Sequence, residues 1–143
     1  MVLLGLGAAC SDGPLMPAFD LATARARWQA AGPPSYVFDL QLSCFCLQQI
    51  IGTVSITVVD GRFVDAIASD GSKVDSLLFE NYLTVDRALE TTRRLLEAKP
   101  ASFVASYDRS LGYPALVSVD PIAQAADDEV SFGILALHAI LPP

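Results

Sequence analysis

Thr53-Val-Ser-Ile-Thr-Val-Val-Asp-Gly-Arg-Phe-Val-Asp-Ala-Ile67 decides the fold class. Val54, Ile56 and Val58 alternate with Thr and Ser, the period of a half-buried strand. Asp60-Gly61 then separates this run from Phe63, Ala66 and Ile67. A two-residue Asp-Gly connection is a strong hairpin signal, because the favoured turn needs positive φ at both central positions. Tight pairing through that turn sets Asp65 opposite Ile56 on the apolar face, so the reading requires either a bulge or a partly wet face.

Upstream, Tyr36, Phe38, Leu40, Leu42, Cys44 and Cys46 alternate with Asp39, Gln41 and Ser43, another half-buried strand. Before it, Leu21, Ala24, Trp28 and Ala31 fall on one helical stripe, with Asp20 as N-cap and Gly32-Pro33-Pro34 as the stop. Downstream, Asp70-Gly71-Ser72 begins a polar connection. A second helix follows from Thr84, with Val85, Ala88, Leu89, Thr92, Leu95 and Leu96 inward, and Lys99-Pro100 ends it. Strands are expected over Ser102–Tyr107, Ala115–Asp120 and Val130–Ile140. The predicted fold is α+β: two αβββ halves forming one antiparallel sheet, with two helices packed on one face. The halves echo each other at an offset of 67 residues, Arg27, Ala31, Pro33, Ser35 and Val37 answering Arg94, Ala98, Pro100, Ser102 and Val104. Duplication and convergence on helix-stop-strand grammar both account for this.

At 143 residues the chain fits one domain. Its net charge of −7, with the Lys and Arg scattered, argues against nucleic acid. A 52% hydrophobic content excludes disorder, and no uninterrupted apolar run reaches the ~20 residues of a membrane span.

Met1-Val-Leu-Leu-Gly-Leu-Gly-Ala-Ala-Cys10 is an apolar run ending in small residues before the polar Ser11-Asp12-Gly13-Pro14. That pattern is a secretion signal. Ala8-Ala9-Cys10 resembles a bacterial lipobox, whose cysteine takes a diacylglycerol and becomes the new N-terminus. Gly7 departs from the usual Leu, and no Lys or Arg precedes the run, so a start upstream of Met1 is expected. A plain cleaved signal or a buried first strand are the alternatives. The expected organisation is a signal over residues 1–9, a tether over 10–19 and one domain over 20–143. The implied location is the cell envelope, lipid-anchored through Cys10 and facing the periplasm or exterior.

Several stretches together resemble the DUF6174 family, bacterial and often lipidated envelope proteins of unknown function. They are Ser43-Cys44-Phe45-Cys46, Val58-Val59-Asp60-Gly61-Arg62, Tyr107-Asp108-Arg109-Ser110-Leu111-Gly112-Tyr113-Pro114, Asp120 and Ala126-Asp127-Asp128-Glu129. The likeness spans nearly the whole chain after the signal and fits least well over Ser72–Leu83. It implies an envelope domain and supplies no catalytic residues.

Cys44 and Cys46 lie on one strand face with Cα atoms about 6.6 Å apart, near the ~6.8 Å limit for a disulfide. They read as a strained bridge, two buried thiols, a redox pair, or part of a copper or zinc site. His138, on the side of Phe132, Ile134 and Ile140, reads as a sheet-rim histidine. Asp120, Asp127, Asp128 and Glu129 could offer oxygens to calcium, though a solvated turn is the simpler account. Tyr113 and Pro114 read as hairpin architecture or as an exposed anchor for a partner. The chain has no Gly-x-Ser-x-Gly, His-Glu-x-x-His or phosphate-loop motif. The expectation is therefore a non-enzymatic domain without a cofactor that binds an envelope protein or cell-wall partner. The alternative is a thiol redox or metal-handling protein centred on Cys44 and Cys46.

Overall fold

Asp60 (φ 50°) and Gly61 (φ 73°) form the expected turn, joining β2 (Gly52–Val59) to β3 (Arg62–Ala68). The clash read into this hairpin is resolved by a bulge. Val58 pairs with Phe63, the register then shifts, and Thr57 meets Asp65 while Ile56 meets Ala66. The additional residue is Val64, which is exposed. A slip of one residue exchanges the two faces of a strand, so the bulge turns Asp65 outward and buries Ala66. Without it a carboxylate would enter the core at a cost of several kcal/mol.

This computed structural model of the chain describes residues 17–44, 52–125 and 128–141. The remaining elements are α1 (Pro17–Ala31), β1 (Tyr36–Cys44), a 3-10 helix (Ser76–Tyr82), α2 (Val85–Glu97), β4 (Ser102–Tyr107), β5 (Pro114–Asp120) and β6 (Val130–Ala139). All six strands join one antiparallel sheet in the order β3-β2-β1-β6-β5-β4. The fold is α+β, as expected, and the helices pack on one face of the sheet.

α1 starts three residues earlier than read, at Pro17, so Asp20 sits in the first turn rather than at the cap. Proline suits that position because the first helical N–H has no intrahelical partner, and Asp20 complements the positive helix end. Leu21, Ala24 and Trp28 are buried, whereas Ala31 is exposed. α2 begins as expected: Thr84 Oγ1 accepts from the Arg87 N–H at 3.2 Å, and Val85, Ala88, Leu89 and Thr92 are buried.

The polar connection after Asp70 contains structure that periodicity missed. Asp75 caps the 3-10 helix through the Leu77 N–H, and Phe79 from its middle is fully buried. This helix adds one more lid element beside α1 and α2.

Tyr36, Phe38, Leu40 and Leu42 of β1 line the core with Val54, Ile56 and Val58 of β2, Val117 and Val119 of β5, and Phe132 and Ile134 of β6. Each full burial of such a side chain contributes roughly 1.5–3 kcal/mol. Tyr36 also ties the layers together. Its hydroxyl accepts from the Val85 N–H at 3.1 Å, and its ring meets Trp28 edge-on at 5.3 Å. Trp28 in turn donates Nε1–H to Asp86 of α2 at 3.2 Å.

The echo between the halves does not extend to their placement. From β3 across to β4, both halves read third strand, second strand, first strand, yet β1 and β4 run in opposite directions. A rotation that keeps lateral order while reversing strand direction turns the sheet over. It would put α1 and α2 on opposite faces, but they touch. The echo therefore reflects shared helix-stop-strand grammar.

Candidate functional site

The second face of the sheet is built from the residues that the period of two leaves over. β1 contributes Val37, Asp39, Gln41 and Ser43, and β2 contributes Thr53, Ser55 and Thr57. Strand pairing lines them into rows across the sheet. One row runs Val104, Ser118, Ser131, Ser43, and another runs Asp65, Thr57, Val37, His138. Among the described residues no helix packs on this face. Its texture is hydroxyl-rich, with Asp39, Arg62, Asp65 and Asp120 scattered across it and Val104 (56% exposed) and Leu116 (44%) adding apolar surface on neighbouring strands. Val64 and Leu135, each at a bulge, are also exposed.

The bulge in β6 corrects the placement of His138. Pairing passes from Leu40–Ile134 directly to Asp39–Ala136, so His138 pairs with Val37 on the open face, away from Phe132 and Ile134. It is exposed at the rim. A histidine in the last residues of a strand with a skipped partner changes side, and alternation alone could not show this.

Two ends of the sheet gather the remaining sequence candidates. At one end β1 stops at Cys44, whose backbone pairs with Val130 at the start of β6, and Val130 pairs in turn with Val119 of β5. Cys44, Asp120, Asp128 and Glu129 thus belong to one end. Cys10, Cys46 and Asp127 lie outside the described residues, as do residues 1–9, read as a signal, and most of the stretch 10–19 read as a tether. Asp120 Oδ1 accepts from the Ile122 N–H at 3.1 Å, a turn-forming bond. Glu129 is exposed, while both carboxylate oxygens of Asp128 are shielded from solvent and have no hydrogen-bond partner among the described residues. Among the described residues no three His, Cys, Asp or Glu side chains group to hold a metal.

The opposite end carries the turn from Tyr107 to Pro114. Asp108 Oδ1 accepts from the N–H groups of Ser110 (2.9 Å) and Leu111 (2.6 Å), and Gly112 N–H donates to the Asp108 carbonyl at 3.0 Å. Gly112 has φ 83°, and a Cβ there would fall onto the Ala24 carbonyl of α1. Only glycine satisfies both constraints. The turn thereby seats the β4–β5 hairpin on α1. Pro114 is fully buried, which corrects its reading as a partner contact: the core uses its surface. Tyr113 is half-buried, and its phenol pKa is raised by burial and by the nearby Asp108 carboxylate.

Between α1 and α2 lies an open cleft of about 470 Å³ lined by Leu21, Ala22, Arg25, Arg93, Leu96, Glu97 and Lys99. Its neighbouring carboxylates are engaged with arginine: Arg93 pairs with Glu90 and Glu97, and Arg25 stands 3.7 Å from Glu90. Hydrogen bonds from Arg93 hold the Glu90 carboxyl below its ordinary range. That direction is opposite to the raised value that suits a carboxyl to general acid or base work near neutral pH. The buried phenols of Tyr36 and Tyr107 are both pushed up to about 12 by burial, so both stay protonated. Tyr36 is a structural acceptor; the Tyr107 hydroxyl has no partner among the described residues. A sheet face was legible as a candidate binding surface, but which residues share its rows was not, because pairing brings together six strands spread along the chain.

No curated protein and no solved structure matches the chain significantly. The model of DUF6174, a family of unknown function, matches residues 20–139, from the first turn of α1 to the end of β6, and the chain belongs to that family.

Proposed function

We propose that this chain is an envelope protein held to a membrane by a lipid on Cys10, and that its domain works without catalysis by binding a protein or cell-wall partner on the open sheet face. The observation that carries this reading is the composition of that face. Rows of Ser and Thr with exposed Val104 and Leu116 offer hydrogen-bonding groups and apolar area together, as recognition surfaces do. A densely charged face would have indicated a purely solvated surface.

Photo-crosslinking residues placed at Val104 and Leu116 in the native envelope test it. Discrete crosslinked products from these positions, and none from the exposed Arg27 of α1, are expected. Equal, diffuse products from both sides would overturn the reading.

The alternative is thiol redox or metal handling. It draws on the placement of Cys44 beside the start of β6, close in sequence to the shielded Asp128 carboxylate. Cysteines that alkylate freely in the native envelope, without prior reduction, would move the function to this end of the sheet.

A further inference from the structure

The helical layer differs from the rest of the molecule in charge. Residues 17–31 and 85–99 carry six Arg and Lys against four Asp and Glu, whereas the rest of the chain carries three against twelve. Counting Glu80 of the 3-10 helix with the layer leaves it still net positive. The apolar cleft between α1 and α2 opens in this same layer. Leu21 and Leu96 line it together with Arg25, Arg93 and Lys99 and a single carboxylate, Glu97, which Arg93 engages. Arg27 and Arg94 are exposed elsewhere in the same layer, Arg27 on the side of the β4–β5 turn and Arg94 beside Asn81.

From these observations we infer that the α1–α2 face docks on the anionic phospholipid surface of the membrane that holds the chain. This inference rests on the reading of Cys10 as the lipid attachment site. Seven Cα steps separate Cys10 from Pro17, so the anchor keeps the start of α1 within about 25 Å of the bilayer. Leu21 and Ala22 follow within the first turns, which brings the cleft mouth to the tethered side. Lipid phosphates attract the exposed Arg and Lys, and the surrounding negative surface potential repels the acidic remainder. Lys and Arg stems can lie along apolar surface while their heads reach phosphate. In this pose the open sheet face is directed away from the membrane.

Two lysines make the orientation measurable, since Lys73 and Lys99 are the only ones in the chain. Lys99 borders the cleft, while Lys73 is largely exposed and pairs at 3.6 Å with Asp65, which the β3 bulge turns to the opposite face. The lipidated chain, its diacylglycerol first verified by intact mass, is reconstituted into phosphatidylglycerol vesicles and into phosphatidylcholine vesicles. Both are then pulsed with a membrane-impermeant amine reagent. The expected result is a Lys99-to-Lys73 labelling ratio lower by about threefold or more on phosphatidylglycerol, restored by Arg27→Glu together with Arg94→Glu. An unchanged ratio on a verified lipidated chain overturns the docking while leaving the anchor intact. Shielding of Lys99 that is equal on both vesicles and grows with protein density overturns it in favour of a second copy of the chain. A native chain whose Cys10 carries no lipid defeats the anchor reading itself.

Discussion

β1 shows two surfaces on one strand. Tyr36, Phe38, Leu40 and Leu42 are at most 4% exposed beneath the helices, while Val37, Asp39, Gln41 and Ser43 between them face the uncovered side. The helix-covered face is where hydrophobic burial and interlayer hydrogen bonds accumulate. On the open face the side chains have neighbours within the sheet but, among the described residues, no layer above them. The contrast teaches where each kind of substitution acts: stability resides on the covered face, and recognition is free to use the open one.

The sharpest way to break this division is to remove a lid residue. Phe79→Ala empties a fully buried site and should cost about 3–5 kcal/mol, read as a lower denaturant midpoint; a loss under about 1 kcal/mol would mean that the 3-10 helix is dispensable to the core. Tyr36→Phe keeps the ring but leaves the buried Val85 N–H without its acceptor. A loss of about 1–2 kcal/mol is expected from equilibrium unfolding, and a neutral result would show that another acceptor replaces it.

The ion pairs over the cleft should matter less and should depend on pH. Glu90 has a folded pKa below its unfolded value of about 4.3. Its contribution is thus fully present above that unfolded value and is lost as pH falls through the folded one. Glu90→Gln should flatten the acid limb of a stability-versus-pH curve and leave its shape near neutrality unchanged, with only a small effect because the pair is exposed. On the open face, Val104→Ser should change stability by no more than about 0.5 kcal/mol while weakening partner crosslinking. A large stability loss there would mean that the face is covered in the working protein.

Much of the fold was legible because it rests on local rules. Asp60-Gly61 demanded a hairpin, Thr84 marked a helix start, and alternation in β1 assigned each residue to one of two faces. The conflict at Asp65 even pointed to a bulge. The Tyr107–Pro114 turn was legible as architecture, but not its seat on α1, since no pattern within the turn reveals that Gly112 meets the Ala24 carbonyl.

The sequence by itself determined the α+β class, the sheet segments and the inward residues of β1, β2 and α2, because strand and helix periods are short-range properties of the chain. Tertiary structure alone decided that β1 lies beside β6, that Phe79 fills the core from a short 3-10 helix, and that the β6 bulge moves His138 to the open face. These outcomes depend on packing between residues distant in the chain, where a single inserted residue exchanges the two faces of a strand without altering its composition.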